Sequence, residues 1–200
     1  MAVSVRNVLA LSLIVAGFAH ATTLLALDLE SLTKGSTSIV RGTVKSVNAR
    51  WTKDGGRIMT DAVIEVSETW KGAVVKEVTV MQPGGEVGDV GQLVHGTAKF
   101  RAGDEVVVFL EGRGSQTHFL LAGMIQGRFK VERSSDGKAV FARQELEGEA
   151  LFLDSSTHQP VSPSGLALPI DTLRSQVLAL TGATAPVEPT RPVAPVKAKP

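Results

Sequence analysis

Few side chains in this 200-residue chain are placed to do chemistry together, and most of those share one glycine-rich stretch. The segment Pro83-Gly-Gly-Glu-Val-Gly-Asp-Val-Gly-Gln-Leu-Val-His-Gly96 carries Glu86, Asp89 and His95. A flexible backbone of this kind can bring carboxylates and carbonyls around a Ca²⁺ ion or a small ligand. It lacks the dense Asp/Asn alternation of calcium loops. The plainer expectation is therefore a loop crossing the end of a β domain, with glycines for tight turns and acids for solubility. Ca²⁺ is the one cofactor the segment admits, and no metal ligand set is assigned. Trp51 and Trp70 stand near strand ends, where they close the core or stack on a sugar or peptide. Core closure is favoured, because the chain has two Trp and no Tyr. Candidate binding residues are thus Glu86, Asp89, His95, Trp51 and Trp70, and no catalytic residue is assigned.

Other motifs weigh against an enzyme. Ser31-Leu-Thr-Lys34 matches a Ser-x-x-Lys pair, but no Ser-Asp-Asn or Lys-Thr-Gly partner follows. No Gly-x-Ser-x-Gly elbow occurs, and Gly112-Arg-Gly-Ser115 lacks the Lys-Ser/Thr end of a phosphate loop, so it is read as a hairpin turn. His95, His118 and His158 stand far apart, without a His-x-His or His-x-x-x-His pair. His118 is expected at a surface or edge. Asp61 and Lys71 are read as an ion pair or cap. The absence of cysteine excludes disulfides, thiolate metal sites and cysteine nucleophiles.

The elements that must position these residues lie between two special ends. Met1 to Asn7 holds one cation, Arg6, and is followed by an apolar run from Val8 to Ala19 and by small residues around His20. This is the order of a secretion signal cleaved after Ala21. The rival is an uncleaved anchor, since roughly 20 apolar residues can span a bilayer; Gly17, His20, Thr22 and Thr23 argue against it. From Ala183 the chain is rich in Pro, Ala and Val, which reads as a disordered tail or spacer, its Pro-x-x-Pro spacings notwithstanding. The whole chain has 21 basic and 20 acidic residues; removing Arg6 with the signal and Arg191, Lys197, Lys199 and Glu188 with the tail leaves 17 and 19. A nucleic-acid partner would call for a strong basic bias, which is missing. A membrane is met only through an uncleaved signal. The expected location is a bacterial periplasm, outer surface or medium, where a disulfide-free core must supply the stability.

Between the ends the pattern is mostly β. Leu27 to Lys34 reads as a short helix. Val40, Gly42 and Val44 share one face, and Val47, Ala49 and Trp51 continue on the opposite parity, which predicts a β-bulge near Ser46. Thr52 to Arg57 is a turn built on Asp-Gly-Gly. Beyond it Ile58, Thr60, Ala62, Ile64, Val66 and Trp70 fall on one face, with Asp61, Glu65, Ser67 and Thr69 on the other. Further strands are expected at Val74–Gln82, Glu105–Glu111, His118–Ala122, Gly127–Glu132 and Ala139–Arg143. Glu105–Glu111 is expected to be buried on both faces, and Phe129 and Val131 to point inward. Leu168 to Gly182 is a helix with Ile170, Leu173, Val177 and Leu180 as its apolar stripe. About six or seven strands with regular turn signals make a sandwich or small barrel.

Gly42-Thr-Val, Thr60-Asp61, Trp70-Lys-Gly72, Pro83-Gly-Gly85 and Gly103-Asp-Glu-Val-Val-Val-Phe-Leu110, in that order, resemble an uncharacterised β-domain family of bacterial exported proteins. More distantly, the layout from about Leu27 to Arg133 is similar to the OB-fold barrel of netrin-like and tissue metalloproteinase inhibitor domains. The resemblance implies a small OB-like β-barrel with a short N-terminal and a C-terminal helix. Those inhibitors chelate the protease zinc through an N-terminal cysteine, so with no cysteine here a protease-inhibitor function is implied by fold alone. The expectation that follows is an exported, non-enzymatic binding module for a protein or small ligand. The alternative is a small metal-assisted hydrolase or Ca²⁺-dependent enzyme built on Glu86 and Asp89.

Overall fold

The computed structural model describes residues 22–112, 114–115, 117–146 and 150–182. The expected signal, residues 1–21, and tail, residues 183–200, lie outside them. The described chain is mostly β with two helices: β1 Thr23–Leu25, α1 Leu29–Gly35, β2 Ser38–Trp51, β3 Ile58–Lys71, β4 Glu77–Pro83, β5 Gly85–Val87, β6 Val90–Gln92, β7 Glu105–Gly112, β8 His118–Leu121, a 3-10 turn Met124–Gly127, β9 Arg128–Arg133, β10 Val140–Gln144, β11 Leu151–Leu153, β12 Pro160–Val161, β13 Ala167–Pro169 and α2 Ile170–Thr181. The strands outnumber the six or seven expected. The extra ones are two- and three-residue pieces, too short to show an alternation.

The main sheet runs β13-β10-β9-β7-β2-β3-β4-β8, and β8 also pairs with β7. Five strands are therefore linked in a cycle, β7 to β2 to β3 to β4 to β8 and back to β7. All of these pairings are antiparallel except β4 with β8, which is parallel. A smaller sheet joins β1 in parallel to β11, which in turn pairs with β12.

Strand β7 is buried on both faces, as its unbroken apolar run requires: Val106, Val107, Val108, Phe109 and Leu110 are all 0% exposed. Val106, Val108 and Leu110 enter one core with Val40, Val44, Ala62, Ile64 and Val80. Val107 and Phe109 enter a second core with Ile39, Phe129, Val131, Leu32 of α1 and Leu173 and Val177 of α2. The rings of Phe109 and Phe129 stand 5.4 Å apart. In α2 the buried stripe is Ile170, Leu173, Val177 and Leu178, so Leu178 replaces the expected Leu180. Asp28 caps α1 by accepting the Ser31 backbone N–H at 2.7 Å.

The expected bulge is present, since Val44 faces Ile64 and Ser46 faces Val63, leaving Lys45 as the extra residue. Two further register shifts lie in β3 and were not expected. Arg41 and Gly42 face Glu68 and Val66, and Ile39 and Val40 face Lys71 and Thr69, which makes Ser67 and Trp70 extra residues. Each shift exchanges the faces of the strand. Trp70 therefore leaves the face of Ala62 and Ile64 and joins the helix-covered core, 3% exposed. Gly42 allows the adjustment, because a Cβ there would lie 2.2 Å from the Glu65 carbonyl oxygen.

Candidate functional site

The Gly-rich segment is not a plain loop. Gly85–Val87 and Val90–Gln92 form a hairpin, β5–β6, turning at Gly88 (φ +61°) and Asp89. Its seating on β2 and β3 depends on missing side chains. Gly85 has φ +129°, and a Cβ on it would meet Thr60 Oγ1 at 2.4 Å and Ala49 Cβ at 2.9 Å. The Thr60 hydroxyl donates to the Gly84 carbonyl at 2.7 Å, the Gly84 N–H donates to the Ile58 carbonyl at 2.8 Å, and the Ile58 N–H donates to Gln92 Oε1 at 2.7 Å.

Between this hairpin, the end of β2 and the irregular stretch 93–101 lies an open cleft of about 1170 Å³. Val47, Ala49, Leu93, Lys99 and Arg101 are among the residues that line it, and Phe100 and Ile125 are its buried members. Leu93 is 81% exposed. Polar groups in the cleft include Thr60, Gln82, Glu86, His95 and Thr97. Gln82 donates to the Ala98 carbonyl at 2.6 Å while its Oε1 is buried without a partner.

No family model and no curated protein matches the chain.

The structure thus brings two of the five candidates, Glu86 and His95, to one cleft. Asp89 sits at the exposed hairpin turn, and Trp51 is 41% exposed at the end of β2. The expectation that both Trp close the core holds for Trp70 alone. Trp70 is far from any ligand-facing role: it is buried, and its indole N–H donates to Glu68 Oε2 at 3.0 Å. Among the described residues no group of three or more His, Asp or Glu side chains gathers to hold a metal ion. Asp61 and Lys71 do not pair with each other. Asp61 pairs with Arg50 at 2.6 Å, and Lys71 Nζ donates to the Thr33 carbonyl at 2.7 Å, at the end of α1. His118 is exposed, as expected, with Nδ1 3.0 Å from the Thr117 hydroxyl. Lys34 of the Ser-x-x-Lys pair is engaged by Glu30.

Beside the cleft lies a smaller cavity of about 220 Å³ whose charged residues have no counterpart among the expected site residues. Arg128, its side chain 4% exposed, pairs with Glu145 at 2.6 Å and Asp104 at 3.2 Å and lies 5.5 Å from the Phe100 ring centroid. Alternation places Phe129 and Val131 in the core and so predicts an exposed Arg128. The 93–101 stretch covers the other face of β9, and the guanidinium is buried with two carboxylates to compensate it. A third hollow of about 530 Å³, lined chiefly by apolar residues such as Leu24, Leu25, Met81 and Leu120, opens beside β1.

Proposed function

We propose that the protein is an exported, non-enzymatic binding module of the bacterial cell envelope, built on an OB-like β-barrel that holds its ligand in the cleft under the β5–β6 hairpin. The observation that carries the binding role is the cleft. Its volume of about 1170 Å³ exceeds the roughly 300–1,000 Å³ typical of small-molecule pockets, so it has room for an elongated ligand. Its lining mixes apolar residues such as Val47, Ala49 and Phe100 with polar and charged ones that can fix orientation, and Leu93 projects into solvent. The barrel reading is supported by the five-strand cycle of pairings, in which the first three strands form a meander, the last pairs in parallel with the third, and the fourth returns to the first. Export is supported by the charge, apolar and small-residue order of Met1 to Ala21. The resemblance to bacterial exported β domains points the same way.

The test is to titrate the full chain with a panel of short peptides and a panel of neutral oligosaccharides, reading two-dimensional NMR spectra and thermal melting. A binder should raise the melting temperature, because it binds only the folded state, and should shift the resonances of Leu93 and Thr97. Both effects should weaken in Leu93→Glu, an exposed substitution that leaves the core untouched. Silence in the cleft with both panels, or turnover of a panel member that disappears in Glu86→Gln, overturns the proposal.

A further inference from the structure

The wall of the cleft has a second property. Strand β2 is 14 residues long, but its ladder with β7 covers only Ser38 to Thr43. The next residue, Val44, is held from that side by Asp104 and Gly103, through N–H to carbonyl bonds of 2.9 and 2.8 Å. From Lys45 to Trp51 the sole ladder partner among the described residues is β3. The direction of each backbone group in this stretch follows from the hairpin. The Thr52 N–H donates to the Arg57 carbonyl at 2.8 Å, and from there the register runs without a shift back to Ser46. Antiparallel partners alternate between residues that exchange hydrogen bonds and residues whose N–H and C=O point away. Thr52, Arg50 and Asn48 therefore bond toward β3, and Val47, Ala49 and Trp51 turn their N–H and C=O outward. Val47 and Ala49 are the two β2 residues that line the cleft.

An unpaired edge is a template for another strand, and proteins usually cover it or blunt it with proline or a bulge. Here the bulge at Lys45 lies before the open stretch, and the stretch itself has no proline. The charge around the edge is biased. Lys99 and Arg101 line the cleft and have no ion-pair partner among the described residues, while Glu86 is the one acid in the same lining.

We infer that the open edge of β2, from Val47 to Trp51, is a docking site for an extended acidic peptide segment of a partner protein, which adds as a further strand along the cleft. The inference rests on the cleft being the binding site and specifies its occupant. Backbone bonds to Val47, Ala49 and Trp51 supply affinity, alternate side chains enter the cleft, and Lys99 and Arg101 select acidic sequences.

The probe is an acetylated, amidated peptide of alternating Val and Asp, about eight residues long, titrated into the full chain beside two controls. One control replaces Asp with Lys; the other carries N-methyl groups on alternate residues. The acidic peptide should protect the amides of Val47, Ala49 and Trp51 from hydrogen exchange. The N-methyl peptide should not bind, and the Lys peptide should bind more weakly. Lys99→Glu with Arg101→Glu should weaken the acidic peptide about tenfold and reverse the preference. Ala49→Pro removes an outward N–H without removing a ladder bond, so it should fold and lose the peptide. Should that variant not fold, the N-methyl control tests the same bond. Equal binding of the N-methyl peptide, or edge amides left unprotected at saturation, overturns the inference. If the acidic peptide shifts Leu93 and Thr97 while the edge amides exchange freely, the edge fails and the cleft stands. No response at either place to this peptide overturns the edge, and the cleft is then judged by the oligosaccharide and peptide panels.

Discussion

Four aspartates carry their charge into turns and caps. Asp154 accepts the Thr157 and Ser156 backbone N–H groups at 2.7 and 3.0 Å and the Thr157 hydroxyl, and those bonds hold its carboxyl below the usual range. Asp28 is lowered chiefly by the Ser31 backbone N–H, Asp54 by the Thr52 hydroxyl and then the Gly56 N–H, and Asp136 by the Ser134 hydroxyl and then the Lys138 N–H. A carboxyl lowered in the folded state contributes stability that is fully present above its unfolded value, 3.8, and is lost as pH falls through its folded value. The melting temperature should therefore show no loss from these groups between neutral pH and about pH 5, then fall on further acidification. Asp154→Asn keeps an acceptor oxygen without the titration and should make the acid-side fall shallower; an unchanged slope would refute the role given to Asp154. Glu68 is a different kind of residue. It receives Arg41 Nη1 at 2.7 Å and the Trp70 indole, and Arg174 of α2 reaches it at 3.2 Å. Glu68→Ala removes an acceptor from a half-buried guanidinium and an indole, and should cost about 1–3 kcal/mol in a urea titration. A loss well under that range would mean that Glu105, also bonded to Arg41, suffices.

At the scale of elements, glycines decide where hairpins and bent strands can lie. Gly85→Ala should destabilise by about 2 kcal/mol or more, since both its φ and the 2.4 Å approach to Thr60 Oγ1 resist a side chain. Gly91→Ala, in the partner strand of the same hairpin, meets nothing nearer than 3.6 Å and should be close to neutral. Equal losses in urea would show that the seating of β5 is looser than described. The hairpin was readable in principle: Val87-Gly88-Asp89-Val90 is a Gly-Asp pair between β-branched residues, but the surrounding glycines mask it. The bulge at Lys45 was legible because the apolar parity changes within β2. The shifts at Ser67 and Trp70 were not, because Val66 and Trp70 keep the same spacing whether or not the strand slips. Strands β1, β11, β12 and β13 are each only two or three residues long, and pairing with distant segments decides them. The site shows the same division. Glu86 and His95 were visible by residue type, whereas Val47 and Ala49 looked like ordinary core, Leu93 like part of a plain loop and Arg128 like ordinary surface.

Across the whole molecule, β7 belongs to two cores at once, its even residues to one and its odd residues to the other. Damage on either side must loosen the strand that both share. Phe129→Ala, in the helix-covered core, should cost about 3–5 kcal/mol. Far-ultraviolet circular dichroism and tryptophan fluorescence, with Trp51→Phe added so that Trp70 alone is read, should still report a single coincident transition; two separated transitions would mean that the helix side melts by itself. The smaller sheet imposes an order in time. Thr23 to Leu25 pair in parallel with Leu151 to Leu153, and β1 has no other ladder partner among the described residues. A chain delivered from its N-terminus, by a ribosome or through a membrane pore, emerges with β1 early and its mate near the end. Until Leu151 to Leu153 are delivered, β1 lacks its ladder partner and is tied only by Leu24 packing on the main core and by the Leu25 carbonyl, which accepts from Gln126 Nε2 at 2.9 Å. A chain halted at Leu146 would keep β1 by those contacts alone, and limited proteolysis should cut it near Thr23 to Leu25 faster than the complete chain.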